Sequence, residues 1–95
     1  MTVLECKKVK FYSDIDELFF FEWIKRISCV KSIEGSGSSV FLNLKSKEVS
    51  RNELVELIAL FYRYEINMKQ LSVFSTKKNN SWFKVRDKYW YKKIF

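Results

Sequence analysis

The segment that begins at Ser50 constrains the fold most, because it combines a helix start with a helical stripe of apolar residues. Ser50 is followed three positions later by Glu53, the spacing of a capping box in which each side chain bonds the other residue's backbone N–H. The apolar residues behind it recur at i, i+3, i+4 and i+7, and they are Leu54, Leu57, Ile58 and Phe61. The pattern predicts an amphipathic helix from about Arg51 to Tyr64.

Another helix is predicted between Ser13 and Ile27. Ser13 suits the N-cap position, acidic residues crowd the first turn and basic residues close the last turn, so charge complements the helix dipole at both ends. Phe19, Phe20 and Trp23 widen the apolar surface beyond what one flat contact needs, so another part of the protein must cover these rings. The inward stripe is expected to consist of Leu18, Phe21, Ile24 and, at its end, Ile27.

Two further regions favour β-structure. Residues Thr2–Tyr12 mix apolar β-formers with lysines, which suits an edge strand. Residues Cys29–Ser46 predict a β-hairpin, because Val40–Leu44 alternate and Glu34–Gly37 supply the residues of a tight reversal. Together with the helices, these elements predict an α+β fold: a small, mostly antiparallel sheet with two main helices packed on one face, in a single domain over residues 1–95.

The C-terminal third is harder to assign. Residues 68–75 fit a helix as well as a strand, because Leu71 belongs to both apolar patterns. Residues 76–81 are predicted to be a polar loop. For the tail after Ser81 we expect a strand that leads into a turn or short helix, since apolar and basic residues first alternate and i, i+4 apolar pairs follow.

The composition removes most catalytic options. The chain has no histidine, so Ser-His-Asp and Cys-His nucleophiles and His-ligated metal centres lack their central group. With two glycines and no proline, it also lacks the phosphate loops that need several glycines at fixed spacing. We therefore expect a protein that is not an enzyme and that uses no cofactor and no metal ion.

The two cysteines and the N-terminal segment bear on the compartment. Cys6 and Cys29 lie far apart in a chain without histidine, so we interpret them as small buried or half-buried hydrophobes and not as zinc ligands or a disulfide framework. The first ten residues contain no basic segment followed by an apolar run, and Glu22 interrupts the most apolar stretch. The expectation is a cytoplasmic protein with no signal peptide and no membrane span.

The net charge of +7 is concentrated in the C-terminal part. Residues 1–68 hold ten basic and ten acidic side chains, whereas from Lys69 onward eight basic residues face Asp87 alone. Nucleic acid is one candidate partner, because lysines neutralise phosphates and aromatic rings such as Trp90 stack on unpaired bases. We favour the interpretation that these rings serve the core, with lysine stems over their edges. The aromatic residues assigned to the fold in this way are Trp82, Phe83, Tyr89 and Tyr91.

The start of the first predicted helix gathers acidic side chains. They could meet a basic cleft of a protein partner, or they could simply complement the helix dipole, with Glu22 paired to Arg26 one turn on. We favour the second role, and the two are compatible because such acids stay exposed. The acidic residues concerned are Asp14, Asp16, Glu17 and Glu22.

Three segments taken together resemble a known family. They are FYSDIDELFFFEWIKRI, ELIALFYRYEINMKQL and NNSWFKVRDKYWYKKIF, and they span most of the chain from Phe11 to Phe95. An aromatic-Ser-acid helix start and a tail with Trp-Phe, Tyr-Trp-Tyr and a final Phe are similar to features of small bacterial immunity proteins. These proteins accompany contact-dependent growth inhibition and related polymorphic toxins. The likeness lies in aromatic residues and their spacing, not in a catalytic signature.

The resemblance implies a cytoplasmic, non-catalytic protein that binds one cognate toxin domain, in many cases a nuclease, and blocks its active site or substrate path. Inhibitors of such nucleases are often acidic, and this basic chain departs from that trend. The alternative function is a small basic nucleic-acid-binding module that uses the aromatic and lysine-rich C-terminal segment. The residues selected for partner contact are Asp14, Asp16 and Glu17, and, if the toxin surface is acidic, Lys84, Arg86 and Lys88.

Overall fold

The computed structural model describes residues 2–95 and has an α+β fold, which confirms the predicted class. Its three strands form one antiparallel sheet in the order β1-β3-β2. The elements in chain order are β1 (Thr2–Lys7), α1 (Asp14–Lys25), β2 (Val30–Ser36), β3 (Ser39–Leu44), α2 (Arg51–Arg63), a 3-10 helix (Met68–Phe74) and α3 (Tyr91–Ile94).

The sheet buries one face beneath the helices. Leu4 of β1 lies opposite Leu42 of β3, and both side chains are buried, as are Cys6 and Leu44 on the same face. The side chains that alternate with these lie on the opposite face of the sheet. There the Asn43 amide donates hydrogen bonds to Ser32 and Glu34 of β2. The buried side chains form one connected hydrophobic core between the sheet and the helices.

β1 is an edge strand, as predicted, but it ends at Lys7 and not at Tyr12. Lys8 adopts a positive φ of 51°, which breaks the extended conformation. The outer edge of β1 is partly closed by a side chain: the Gln70 amide accepts from Glu5 N and donates to Glu5 O, both at 2.8 Å. Gln70 thus occupies backbone groups that would otherwise be open to pairing with another strand.

The predicted β-hairpin is confirmed, with its turn two residues later than expected. Ser36 lies opposite Ser39, so the loop consists of Gly37 and Ser38, and Glu34 continues β2. Gly37 has φ of +60°, a conformation that favours glycine in a two-residue hairpin loop. The position of the turn therefore depends on how β2 pairs with β3, and the local sequence pattern alone does not determine that pairing.

α1 begins where predicted, but its buried side is different. Ser13 accepts a hydrogen bond from the Asp16 backbone N–H at 3.1 Å, which confirms the N-cap. The buried residues of α1 are Phe20 and Ile24, and Ile27, just after the helix, is buried too. Leu18 is exposed, so the predicted stripe is wrong at its start. Residues three positions apart differ by about 60° in direction around a helix, so a stripe built only from such steps does not stay on the side that faces the core.

α2 confirms the prediction to within one residue. Glu53 N donates to Ser50 Oγ at 3.1 Å and Ser50 N donates to Glu53 Oε1 at 2.7 Å, which completes the capping box. The hydrophobic side predicted for the helix is buried, with Leu60 added to it. Local signals were sufficient here because the cap and the apolar period lie in the same short segment. The buried residues of α2 are Leu54, Leu57, Ile58, Leu60 and Phe61.

The segment after α2 is a 3-10 helix and not a strand. Its buried residues Met68, Leu71 and Phe74 follow the three-residue period of that helix. Residues 76–81 form turns, consistent with the predicted polar loop.

The predicted strand in the tail is wrong: residues 82–90 follow turns and α3 closes the tail. These turns are tied locally, because Phe83 N donates to Asn79 O at 2.8 Å and Trp90 Nε1 donates to Phe83 O at 2.7 Å. Local bonds of this kind leave those groups unable to pair with a strand of the sheet.

The tail completes the core, but through a partly different set of residues than predicted. Phe83, Trp90 and Ile94 are only 0%, 8% and 2% exposed. Trp82 and Tyr91 are half-buried, and Tyr89 is exposed, so its assignment to the core is wrong. The tail reaches the core through turns. In turns, every second side chain does not face the same way as it does in a strand, and the prediction assumed that alternation.

Both cysteines are buried and free, as predicted. Burial raises the pKa of Cys6 to about 12 and that of Cys29 to about 11, and nearby Glu5 and Glu53, respectively, add to the two shifts. Across the described residues 2–95, the helices are too short and too polar for any of them to cross a membrane.

Candidate functional site

The first candidate surface is the outward side of α1, here called the α1 face and formed by Tyr12, Ile15, Leu18 and Phe19. The last three lie at i, i+3 and i+4, so they share one side of the helix. Their exposed fractions are 63%, 54% and 62%, and Tyr12, just before the helix, is 81% exposed. Single exposed apolar residues are common, but a contiguous group on one helix side is typical of an interaction surface.

Acidic side chains border the α1 face. Asp14 and Glu17 are exposed in the first turn of α1, where they complement the helix dipole. Glu22 pairs with Lys25 at 3.6 Å, so the expected pair with Arg26 is wrong. That pair is the one ion pair found within residues 2–95, so Asp14 and Glu17 carry charge that no described side chain neutralises.

Asp16, the third predicted contact acid, is engaged inside the protein. One carboxylate oxygen accepts from the Tyr12 backbone N–H at 3.0 Å, and the other accepts from the Tyr64 hydroxyl at 3.1 Å. Burial raises the pKa of Tyr64, and the hydrogen bond to Asp16 raises it further. Asp16 therefore joins the segment that precedes α1 to the end of α2.

The predicted basic contacts lie on the tail. Lys84, Arg86 and Lys88 are all exposed. The Lys84 ammonium lies 5.3 Å from the Phe95 ring centroid and the Lys88 ammonium 6.0 Å from that of Trp90, which are cation–π distances. The ammonium groups themselves lie over the rings, whereas the core interpretation expected the lysine stems to cover the ring edges. Within the described chain, no hydrogen bond or ion pair joins them to Asp14 or Glu17.

A second surface, which the sequence did not indicate, is a cationic cavity of about 560 Å³, here called the basic groove. It lies between the turn after β3, the start of α2 and the turns that follow the 3-10 helix. Phe74, itself buried, and Trp82 contribute its apolar lining. Its charged residues are Lys47, Arg51, Lys77, Lys78 and Glu48.

The loops on either side of the basic groove are held by local hydrogen bonds. Thr76 N donates to Asn79 Oδ1 at 2.8 Å, and Asn79 N donates back to Thr76 Oγ1 at 3.1 Å. Asn79 Nδ2 also donates to Phe74 O at 2.7 Å. On the other side, the Ser46 hydroxyl accepts from Glu48 N at 3.1 Å. The lysines between these residues are therefore carried on fixed turns.

Trp82 lies in the basic groove beneath a guanidinium group. The Arg51 guanidinium carbon is 4.9 Å from the Trp82 ring centroid, and the indole is half-buried. Arg51 is the first residue of α2, so the positive end of the helix dipole adds to the potential here. The arrangement joins a planar cation, an aromatic ring and three lysines in one concave site.

Sequence reasoning missed the basic groove because its charges come from separate segments. Lys47 and Arg51 belong to the part of the chain in which acidic and basic residues balance, while Lys77 and Lys78 belong to the basic part. The one local signal was the Lys77-Lys78 pair inside a predicted polar loop. Within residues 2–95, no three His, Cys, Asp or Glu side chains come together in a way that could hold a metal ion.

Comparisons with protein-family models, with curated proteins and with solved structures found no match for this chain.

Proposed function

We propose that this protein binds a cognate bacterial toxin domain, of the nuclease type, and neutralises it without catalysis of its own. It covers the active site of the toxin or the path of its substrate, and it acts in the cytoplasm. The sequence resemblance to small immunity proteins supports this class of partner. The α1 face supports the mode of action, because it offers a ready surface for a protein partner.

The observation that carries the proposal is the exposure of Ile15, Leu18 and Phe19 on one side of α1. Full burial of an exposed side chain of this kind contributes about 1.5–3 kcal/mol. Because these three side chains are 54–63% exposed, they offer together roughly 3–5 kcal/mol before the costs of association. A few central anchors of this kind carry most of the energy in a typical interface. Adjacent acids then select the partner by charge.

Charge complementarity favours a nuclease as the partner. A nuclease holds phosphates in its cleft, so the rim of that cleft must be basic, and Asp14 and Glu17 offer it opposite charge. The positive charge of the whole chain is no obstacle, because exposed charges act over only about 8–10 Å at physiological ionic strength. The surface that meets the toxin is locally acidic even though the chain carries +7 overall.

The alternative of a nucleic-acid-binding module that uses the C-terminal segment receives less support. Base stacking needs an open aromatic face, whereas Phe83 and Trp90 are buried. The ammonium groups of Lys84 and Lys88 lie against rings of the tail itself. Tyr89 is the tail ring most open to solvent among those described.

The proposal expects a toxin domain to be encoded beside the gene of this protein, and the catalytically inactivated form of that domain is the test partner. Wild-type protein should bind it in calorimetry and should rescue cells that express the active toxin. The double variant Leu18→Ala/Phe19→Ala should weaken binding roughly 100-fold or more, because it removes two anchors. The matched control, Val55→Ala/Val73→Ala, removes two exposed side chains from other surfaces and should bind like wild type.

Two results would count against the proposal in different ways. If the wild-type protein neither binds the toxin domain nor rescues cells, the function is wrong. If wild type binds but Leu18→Ala/Phe19→Ala binds equally well, the partner is right and the α1 face is the wrong surface. Melting curves of both variants must match wild type, since exposed substitutions of this kind change stability little.

A further inference from the structure

We propose that the basic groove is a second binding site, whose ligand is the phosphate-and-base unit of a nucleotide, either free or within single-stranded nucleic acid. The inference goes beyond toxin neutralisation, because it uses none of the α1 face. It also differs from binding through the C-terminal aromatic and lysine-rich segment alone, since Lys47 and Arg51 come from the turn after β3 and the start of α2 and only Lys77, Lys78 and Trp82 come from the C-terminal part.

The first support is the charge of the groove. Lys47, Arg51, Lys77 and Lys78 line one cavity together with a single acid, Glu48. In the described part of the chain, none of these four cations has a carboxylate within ion-pair distance. Four cations gathered in a concave site with one acid and no direct ion pair leave an excess of positive potential, which attracts an anion.

The second support is that the turns that carry the lysines are already ordered. Lys77 and Lys78 occupy the two middle positions of a turn whose ends, Thr76 and Asn79, bond each other reciprocally at 2.8 and 3.1 Å. Lys47 occupies the middle of the opposing Ser46–Glu48 turn. Because the backbone of both turns is already fixed, a ligand has little loop ordering left to impose.

The third support identifies the ligand as a nucleotide and not as a simple anion. Trp82 and the Arg51 guanidinium, 4.9 Å apart, supply an aromatic ring and a planar cation beside the lysines. Unpaired bases stack on guanidinium planes as well as on aromatic rings, so a base would stack on the outer side of the guanidinium that already covers the Trp82 ring. Guanidinium groups also bind phosphate through two parallel hydrogen bonds. The cavity of about 560 Å³ lies within the usual size range of small-ligand sites.

An acidic peptide is the competing ligand, and the groove fits it less well. Carboxylates would use the four cations but would have no use for the Trp82 ring. A nucleotide engages both the charge and the aromatic ring of the groove. The test therefore includes an acidic peptide as one arm.

The test measures binding of a fluorescently labelled single-stranded oligonucleotide by anisotropy. Further arms use the same sequence as a duplex, a mononucleotide, inorganic pyrophosphate and a hexaglutamate peptide. The variant Lys77→Ala/Lys78→Ala removes two groove cations. The matched control, Lys92→Ala/Lys93→Ala, removes two adjacent lysines of α3 that lie outside the groove, so both proteins have the same net charge.

The proposal expects single-stranded oligonucleotide to bind, with a mononucleotide weaker and pyrophosphate weaker still. Three to four phosphate contacts should make affinity fall roughly 15- to 60-fold between about 50 and 200 mM salt. Lys77→Ala/Lys78→Ala should lose at least about tenfold in affinity at low salt, and its salt dependence should become shallower, while the α3 control stays close to wild type. Mononucleotide binding without a gain for the oligonucleotide would assign the site to free nucleotides.

Three outcomes would overturn the proposal. One is the absence of binding by every nucleotide arm at low salt. Another is an equal loss in both double variants, which would mean that binding follows net charge and not the groove. The third is hexaglutamate binding as tightly as the oligonucleotide, which would make the groove an acidic-peptide site. Because the α1 face takes no part, the outcome of toxin binding is independent of these results.

Discussion

Removal of the tail after Ser81 should unfold the protein. The truncated chain would lack three buried side chains, Phe83, Trp90 and Ile94. Each contributes about 1.5–3 kcal/mol through burial, so roughly 5–9 kcal/mol of stabilisation is removed. A chain of this length has a total stability of roughly 5–14 kcal/mol. The loss is therefore comparable with the whole free energy of unfolding, even before the exposure of the core residues against which the tail packs.

A point variant makes the same prediction measurable in a protein that still folds. Phe83 is fully buried, and its ring centroid lies 5.0 Å from that of Phe95. Phe83→Ala should cost about 3–5 kcal/mol, because it removes the ring and leaves a cavity. At several degrees per kcal/mol for a domain of this size, the melting temperature should fall by more than about 10 °C.

The assay is thermal melting followed by far-ultraviolet circular dichroism, with Arg86→Ala as the control from the exposed side of the same tail. The control should melt within a few degrees of wild type. A truncated protein that keeps a cooperative transition at the wild-type temperature would refute the reasoning. It would mean that the tail is a docked appendage, and its rings would then be free to bind a partner.

Three further predictions concern single features of the fold. Ser50→Ala should destabilise the protein by about 1–2 kcal/mol in urea titrations, because it breaks the capping box of α2. Gln70→Ala should cost about 1–2 kcal/mol and increase self-association in light scattering, since it uncovers the edge of β1; an unchanged scattering profile would argue against the edge role. Unfolded thiols ionise near pH 9, well below the folded pKa values of about 12 for Cys6 and 11 for Cys29. The contribution of the two thiols to the free energy of unfolding is therefore present below pH 9 and should be lost as the pH rises above it. The expected loss is up to about 1.4 kcal/mol per pH unit for each thiol. A variant with both cysteines replaced by alanine should lack this part of the decline.

The elements that the sequence predicted well are those whose signals are local. The capping box of α2 and the apolar period behind it lie in the same short segment, so no distant contact was needed to locate the helix. The α+β class could be predicted from such segments, because each helix or strand is indicated by its own apolar periodicity and by the turn residues that end it. The buried side of α1 was predicted less well, since Leu18 is as apolar as its neighbours and only packing decides which side faces inward.

The candidate surfaces depend on non-local placement and were predicted in part. Asp14 and Glu17 could be selected because a helix start exposes its acids, but the bond from Tyr64 to Asp16 joins residues far apart in the chain. The basic groove unites Lys47 with Lys77 and Lys78, and no sequence period connects them. The alternation of the tail suggested a strand, yet hydrogen bonds around Asn79 turn that segment into the core.

The three tryptophans fall into two regions, which makes the protein its own spectroscopic reporter: the rings of Trp82 and Trp90 lie 6.4 Å apart, whereas Trp23 belongs to α1. Trp23 donates to Glu56 at 2.9 Å on the α1 side, Trp82 lies in the basic groove, and Trp90 is buried in the tail. Replacing two of them with phenylalanine leaves one indole whose emission reports on a single region. The variant that keeps Trp23 then reports on toxin docking through its emission wavelength. The variants that keep Trp82 or Trp90 report on the region that nucleotide entry and release of the tail both change, because these two rings are neighbours.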